Sequence, residues 1–138
     1  MAVDARLSFM VLYVSDLDAS VTFYTELLGL KVSDREPTAA LLASAARSPL
    51  ILRSMGADAT RAPGSVGVHY VVWAAATDEE LDRVERMLKA RSAYVETRRG
   101  DGYTMVEGRD PDDNPVLVAY PAPDEVPLRA VPVRIYAW

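Results

Sequence analysis

The chain has 138 residues, half of them apolar and a quarter charged, which is the composition of one globular domain and excludes a disordered tail or a fibrous rod. It contains no cysteine, so disulfides, thiolate zinc sites and cysteine nucleophiles are ruled out, and a single histidine, His69, so no site can draw several imidazoles from one subunit. A net charge of −5 and a pI near 4.8 disfavour nucleic acid as a partner and favour neutral or cationic ligands. No apolar run reaches the ~18–20 residues of a membrane span, and Met1 to Arg6 lack the apolar centre of a secretory signal, so a cytoplasmic protein without a membrane partner is expected.

Leu7 to Val14 is β-branched and aromatic enough to predict a strand. Asp16 then stands as a helix N-cap, Leu17, Val21, Tyr24 and Leu28 form one apolar stripe, and Gly29 supplies the stop. Short strands are predicted at Leu30–Val32, Ala39–Ala43 and Leu50–Arg53, punctuated by Pro37 and Pro49. The run GADATRAPGS, residues 56–65, is rich in turn-forming and small residues and reads as a linker. Beyond it the pattern restarts with a strand over Gly67–Ala74. A capping box follows at Thr77-Asp78-Glu79-Glu80, then a helix burying Leu81, Val84 and Leu88. Strands over Ala93–Arg98, Tyr103–Glu107 and Val116–Tyr120 complete the series, and Gly100-Asp101-Gly102 is a hairpin signal. Four prolines between Pro121 and Pro132, with the apolar end Val133–Trp138, suggest an extended arm.

The order strand, helix, three strands thus occurs twice. A shift of 60 residues lays Phe9 on His69 and Leu28 on Leu88, and a shift of 66 lays Pro49 on Pro115, as expected of a duplicated βαβββ unit. The string Val11-Leu12-Tyr13-Val14-Ser15-Asp16-Leu17-Asp18-Ala19-Ser20, continued by Phe23-Tyr24 and Leu27-Leu28-Gly29-Leu30-Lys31-Val32, resembles the opening of the vicinal oxygen chelate superfamily. Asp110-Pro111-Asp112-Asp113-Asn114-Pro115 resembles that superfamily's DPDGNP turn, with Asp113 in the glycine position. Glyoxalase I, bleomycin-resistance proteins and extradiol dioxygenases belong there. The resemblance spans residues 7–120 and implies an α+β fold of two βαβββ modules, 7–55 and 66–120, joined by the 56–65 linker and followed by the 121–138 arm. It further implies curled mixed sheets around a shared cleft, usually within a homodimer.

The family's metalloenzymes draw ligands from the first and last strands of each module, and the resemblance places these positions at Phe9, Ile51, His69 and Leu117. Three of the four have no lone pair to offer, whereas a catalytic divalent ion needs about three protein ligands. No metal or other cofactor is therefore expected. Strand alternation puts Val11, Tyr13, Val71 and Trp73 in phase with Phe9 and His69, with Leu117, Ala119, Ile51 and Arg53 on the same cleft side. Met10, Leu12, Val14, Tyr70 and Val72 then pack under the helices. The resulting cleft is apolar and aromatic, with His69 and Arg53 as polar handles, which is how small-molecule sites are built.

Each of these residues also has a plain structural role open to it. His69 is either a strand histidine satisfied within the core, a hydrogen-bonding ligand contact, or a metal ligand, and the apolar set is either a binding surface or filling. The function expected is metal-free binding of an aromatic or apolar small molecule, cationic ones included, in the manner of the drug-sequestering resistance members of the superfamily. The alternative is an enzyme. One form uses His69 as acid or base, with Glu96, Glu107 or Tyr103 orienting it; the other is a metal-dependent lyase, isomerase or dioxygenase with relocated ligands.

Overall fold

The computed structural model describes residues 7–45, 47–62, 65–100 and 102–122. The chain divides into two units, Met1–Thr60 and Arg61–Trp138, each built from one helix and one four-stranded mixed sheet. The first unit runs β1 (Met10–Val14), α1 (Leu17–Leu28), β2 (Lys31–Glu36), β3 (Ala39–Ser44) and β4 (Arg47–Ser54). Its sheet has the order β1-β4-β3-β2, with β1 parallel to β4 and the other pairs antiparallel. The second unit repeats this with β5 (Val72–Ala74), α2 (Asp78–Ala90), β6 (Tyr94–Gly100), β7 (Tyr103–Arg109) and β8 (Pro115–Tyr120), in the order β5-β8-β7-β6. This is the duplicated α+β architecture read from the sequence.

The helix ends form where the capping chemistry requires. Asp16 has an extended backbone and its carboxylate accepts the Ala19 N–H at 3.1 Å, satisfying one of the orphan donors of the first turn. Gly29 ends α1 at φ 68°, a left-handed conformation that costs glycine nothing. Thr77 accepts the Glu80 N–H at 3.1 Å, and Glu80 reaches back to the Ala76 N–H at 2.8 Å, one residue upstream of the cap. The apolar stripe of α1 buries Leu17, Val21, Tyr24 and Leu28 as expected, with Phe23 and Leu27 beside them. Under α1 lie Ala40, Leu42, Leu50 and Leu52, all nearly inaccessible. In the second unit α2 comes so close to its sheet that a Cβ on Gly108 would sit 2.6 Å from Leu88 Cδ2 and 2.8 Å from the Ala93 carbonyl oxygen.

The turn into β8 is organised by Asp110, which is 6 % exposed. Its carboxylate accepts the backbone N–H groups of Asp112 and Asn114 at 2.9 and 2.8 Å, and the Asn114 side-chain amide at 3.1 Å. Asp113 takes φ 65°, the left-handed position read as a glycine site, which Asp tolerates better than most residues.

Two expected strands prove shorter. The first begins at Met10 instead of Leu7, and the strand foreseen over Gly67–Ala74 is paired only at Val72–Ala74. Both are edge strands with a single hydrogen-bonding neighbour, and with Val72 registered on Leu117, residue 70 already reaches Pro115, where β8 begins and no N–H is available. The foreseen arm lies beyond the described residues after Ala122.

Candidate functional site

Each sheet has one face under its helix and one turned away from it. On the far face of the first sheet, register aligns two rows of side chains across the strands. One row is Val11, Ile51, Leu41 and Asp34; the other is Tyr13, Arg53, Ala39 and Glu36. Val11 is 48 % exposed and Tyr13 62 %, and Phe9, in phase just before β1, is 54 % exposed. Large apolar side chains this exposed in one patch mark a surface that meets something. Between the rows lies a hollow of about 220 Å³ lined by Asp34, Glu36, Ala39, Leu41, Ile51 and Arg53 among others. A β-bulge between Val32 and Asp34 shifts the phase of β2 and aims Asp34 onto this face.

The far face of the second sheet is buried along its two middle strands, while Val72 and Ala74 on β5 stay exposed and a hollow of about 180 Å³ opens toward β6, lined by Arg98, Gly100, Tyr103 and Met105 among others. Met105, Leu117 and Ala119 form a buried cluster against which Tyr70 and Tyr103 pack. Glu107, registered with Leu117, is 2 % exposed. Its carboxylate accepts a hydrogen bond from Arg98 Nη2 at 2.9 Å and faces Arg109 Nη2 at 3.7 Å. Arg98 also pairs with Glu96, whose position opposite Glu107 follows a second bulge, between Tyr94 and Glu96. These charges neutralise one another, as a buried carboxylate requires.

Of the residues singled out in the sequence, Val11, Tyr13, Ile51 and Arg53 come together on the first sheet's far face, and Phe9 is exposed just ahead of β1. Those of the second unit do not come together, and the expected phase there is corrected by one residue. Val72 registers with Leu117 and Ala74 with Ala119, so Trp73 lies beside Val118 on the side of α2, 9 % exposed. Tyr70, expected under the helix, instead packs on the Met105–Leu117–Ala119 cluster. The N-caps Asp16 and Thr77 and the paired positions Val11 and Val72 all match at a shift of 61 residues, one more than the shift that aligns the helix stripes. Tyr70, and not His69, therefore occupies the place of Phe9. His69 is exposed in the segment before β5, and Val71 is half-buried beside it. Sequence reasoning missed Leu41, Asp34 and Glu36 as members of the first face, since the bulge that brings Asp34 there leaves no composition signal.

The donor set does not fit a divalent metal ion. The ligand positions implied by the resemblance hold Phe9, Ile51, Leu117 and either His69 or its structural replacement Tyr70, and among the described residues no group of three or more His, Asp or Glu side chains converges. No helix among them is long and apolar enough to cross a membrane.

A family model described as Glyoxalase/Bleomycin resistance protein/Dioxygenase superfamily matches residues 6–118. Among solved structures, the chain is similar to a glyoxylase/bleomycin resistance protein/dioxygenase domain from Frankia sp. EAN1pec, with 22% identity, a TM-score of 0.72, and coverage of 83% of this chain and 96% of that one. A putative glyoxalase from Bacillus halodurans shows 18% identity and a TM-score of 0.72 over 84% of this chain and 96% of that one. A lactoylglutathione lyase from Agrobacterium tumefaciens shows 25% identity and a TM-score of 0.64 over 83% and 92%. No curated protein matches the chain.

Proposed function

Since the chain belongs to the Glyoxalase/Bleomycin resistance protein/Dioxygenase superfamily, we propose that it binds an apolar or aromatic small molecule, cationic ones included, without a metal, on the far face of the first sheet. The mode is that of the drug-sequestering members. The observation that carries this reading is the exposure of Val11 and Tyr13 at 48 % and 62 % on one face of β1, beside a hollow floored by Leu41 and Ile51. A planar ligand stacked on Tyr13 gains about 0.5–1.5 kcal/mol beyond the area it buries. Arg53 and the carboxylates on β2 orient it.

Titration calorimetry with a panel of aromatic compounds tests the reading. A one-to-one complex is expected, with Tyr13→Ala binding about tenfold more weakly, equivalent to ~1.4 kcal/mol. Tyr13 is exposed, so the substitution leaves the fold intact. A panel without a single binder, or affinity indifferent to Tyr13, overturns the reading.

A further inference from the structure

The charges around the first hollow are ordered. Asp34 and Glu36 stand on β2, Arg53 stands two strands away on β4, and Leu41 and Ala39 lie between them on β3. At ~4.8 Å per strand, the backbones of β2 and β4 are about 10 Å apart. Arg35 also borders the hollow, and its charge is paired with the carboxylate of Asp18. Asp34 Oδ1 accepts the Arg35 backbone N–H at 2.8 Å, and among the described residues no ion pair engages Asp34, Glu36 or Arg53. Two uncompensated carboxylates therefore face one uncompensated guanidinium across an apolar floor. The hollow, about 220 Å³, is smaller than the ~300–1,000 Å³ of drug-sized sites.

Resting on the binding function above, we propose that this hollow selects a small dipolar ligand. Its amine faces Asp34 and Glu36, its carboxylate meets Arg53, and an apolar or aromatic body lies over Leu41 and Ile51. Arg53 presents a guanidinium suited to paired contact with a carboxylate, and an ammonium matches the donor-poor end at β2. An ω-amino acid on an aromatic frame satisfies both ends at once.

Four compounds sharing one frame test this by calorimetry or NMR titration: 4-(aminomethyl)benzoate, 4-methylbenzylamine, 4-methylbenzoate and 4-methylbenzyl alcohol. The groups are exposed, so each charge is worth a few-fold, and the zwitterion is expected to bind about tenfold more tightly than the alcohol. The Asp34→Asn, Glu36→Gln double variant should bring the zwitterion down to the affinity of the benzoate. Arg53→Met should bring it down to that of the benzylamine, and raised salt should weaken it most of the four. Equal affinities across the set, or charge variants without effect, overturn the inference. If the alcohol still binds in a Tyr13-dependent way, the function proposed above survives that result. If aromatic compounds of the wider panel bind while all four of these fail, the inference alone is overturned.

Discussion

The far faces of the two sheets share one register pattern and differ in how much of it is exposed. At matched positions the first sheet carries Ile51, Arg53, Leu41 and Ala39, and the second carries Leu117, Ala119, Glu107 and Met105. Arg53 is exposed and Ile51 partly so, whereas Leu117 and Ala119 are 0 % exposed. On the first face the acids of β2 are left facing outward. On the second, Glu96 and Glu107 are tied up by Arg98 and Arg109. The duplicated sheet thus carries one apolar face that is exposed beside charges unpaired among the described residues, and one whose middle strands are buried and whose carboxylates are paired.

The sharpest contrast lies at the matched pair Leu117 and Ile51. Leu117→Ala should cost about 3 kcal/mol in urea unfolding, within the range for truncating a fully buried leucine, and Ile51→Ala only about 1 kcal/mol. Equal costs would dissolve the distinction between the faces. Next in size is Glu107→Gln, which leaves Arg98 and Arg109 without their shared counter-charge. About 2 kcal/mol is expected by the same measurement, held below the cost of a fully buried pair because Arg98 is 31 % exposed. Gly108→Ala bears on the other side of the second sheet. Its Cβ would meet the Ala93 carbonyl at 2.8 Å, backbone that cannot swing away, so a loss of about 1–2 kcal/mol and an altered α2 packing are expected by thermal unfolding and circular dichroism.

The smallest effect concerns Glu85 on α2. Thr97 donates its hydroxyl to Glu85 Oε1 at 2.5 Å, so the Tyr94 hydroxyl, 2.7 Å from Thr97 Oγ1, must be the donor to Thr97. This bond, with help from Lys89 and Arg99, holds the Glu85 carboxyl below its ordinary range. A carboxyl depressed in the folded state contributes stability that is present above its unfolded pKa and is lost as pH falls through the folded one. Thr97→Val should raise the Glu85 pKa in a carbon-detected NMR titration and flatten the loss of stability on the acid side; an unmoved titration would remove the hydroxyl as its cause.

Much of the fold was written in local chemistry. Asp16, Gly29 and Thr77 act at helix ends through their own side chains or backbone freedom, so their positions are visible without tertiary context. Asp110 likewise shapes its turn through bonds to residues two and four positions on. The site was half legible for a related reason. Alternation along β1 is regular, which made Val11 and Tyr13 readable as one face. In the second unit the helix stripes match the first at a shift of 60 and the strands and N-caps at 61, so aligning on the helices put His69 in the place that Tyr70 holds and carried the wrong phase into Trp73. The bulges ahead of Asp34 and Glu96 are set by pairing with β3 and β7, and nothing in the residues Ser33 or Val95 announces them.

The most direct test of a ligand face on one sheet and a largely buried face on the other is an amide-resolved NMR titration with an aromatic binder. Saturable shifts centred on Val11, Tyr13, Leu41, Ile51 and Arg53, with Met105, Leu117 and Ala119 unmoved, are the predicted result. Shifts centred on the second group instead would contradict the assignment of the two faces.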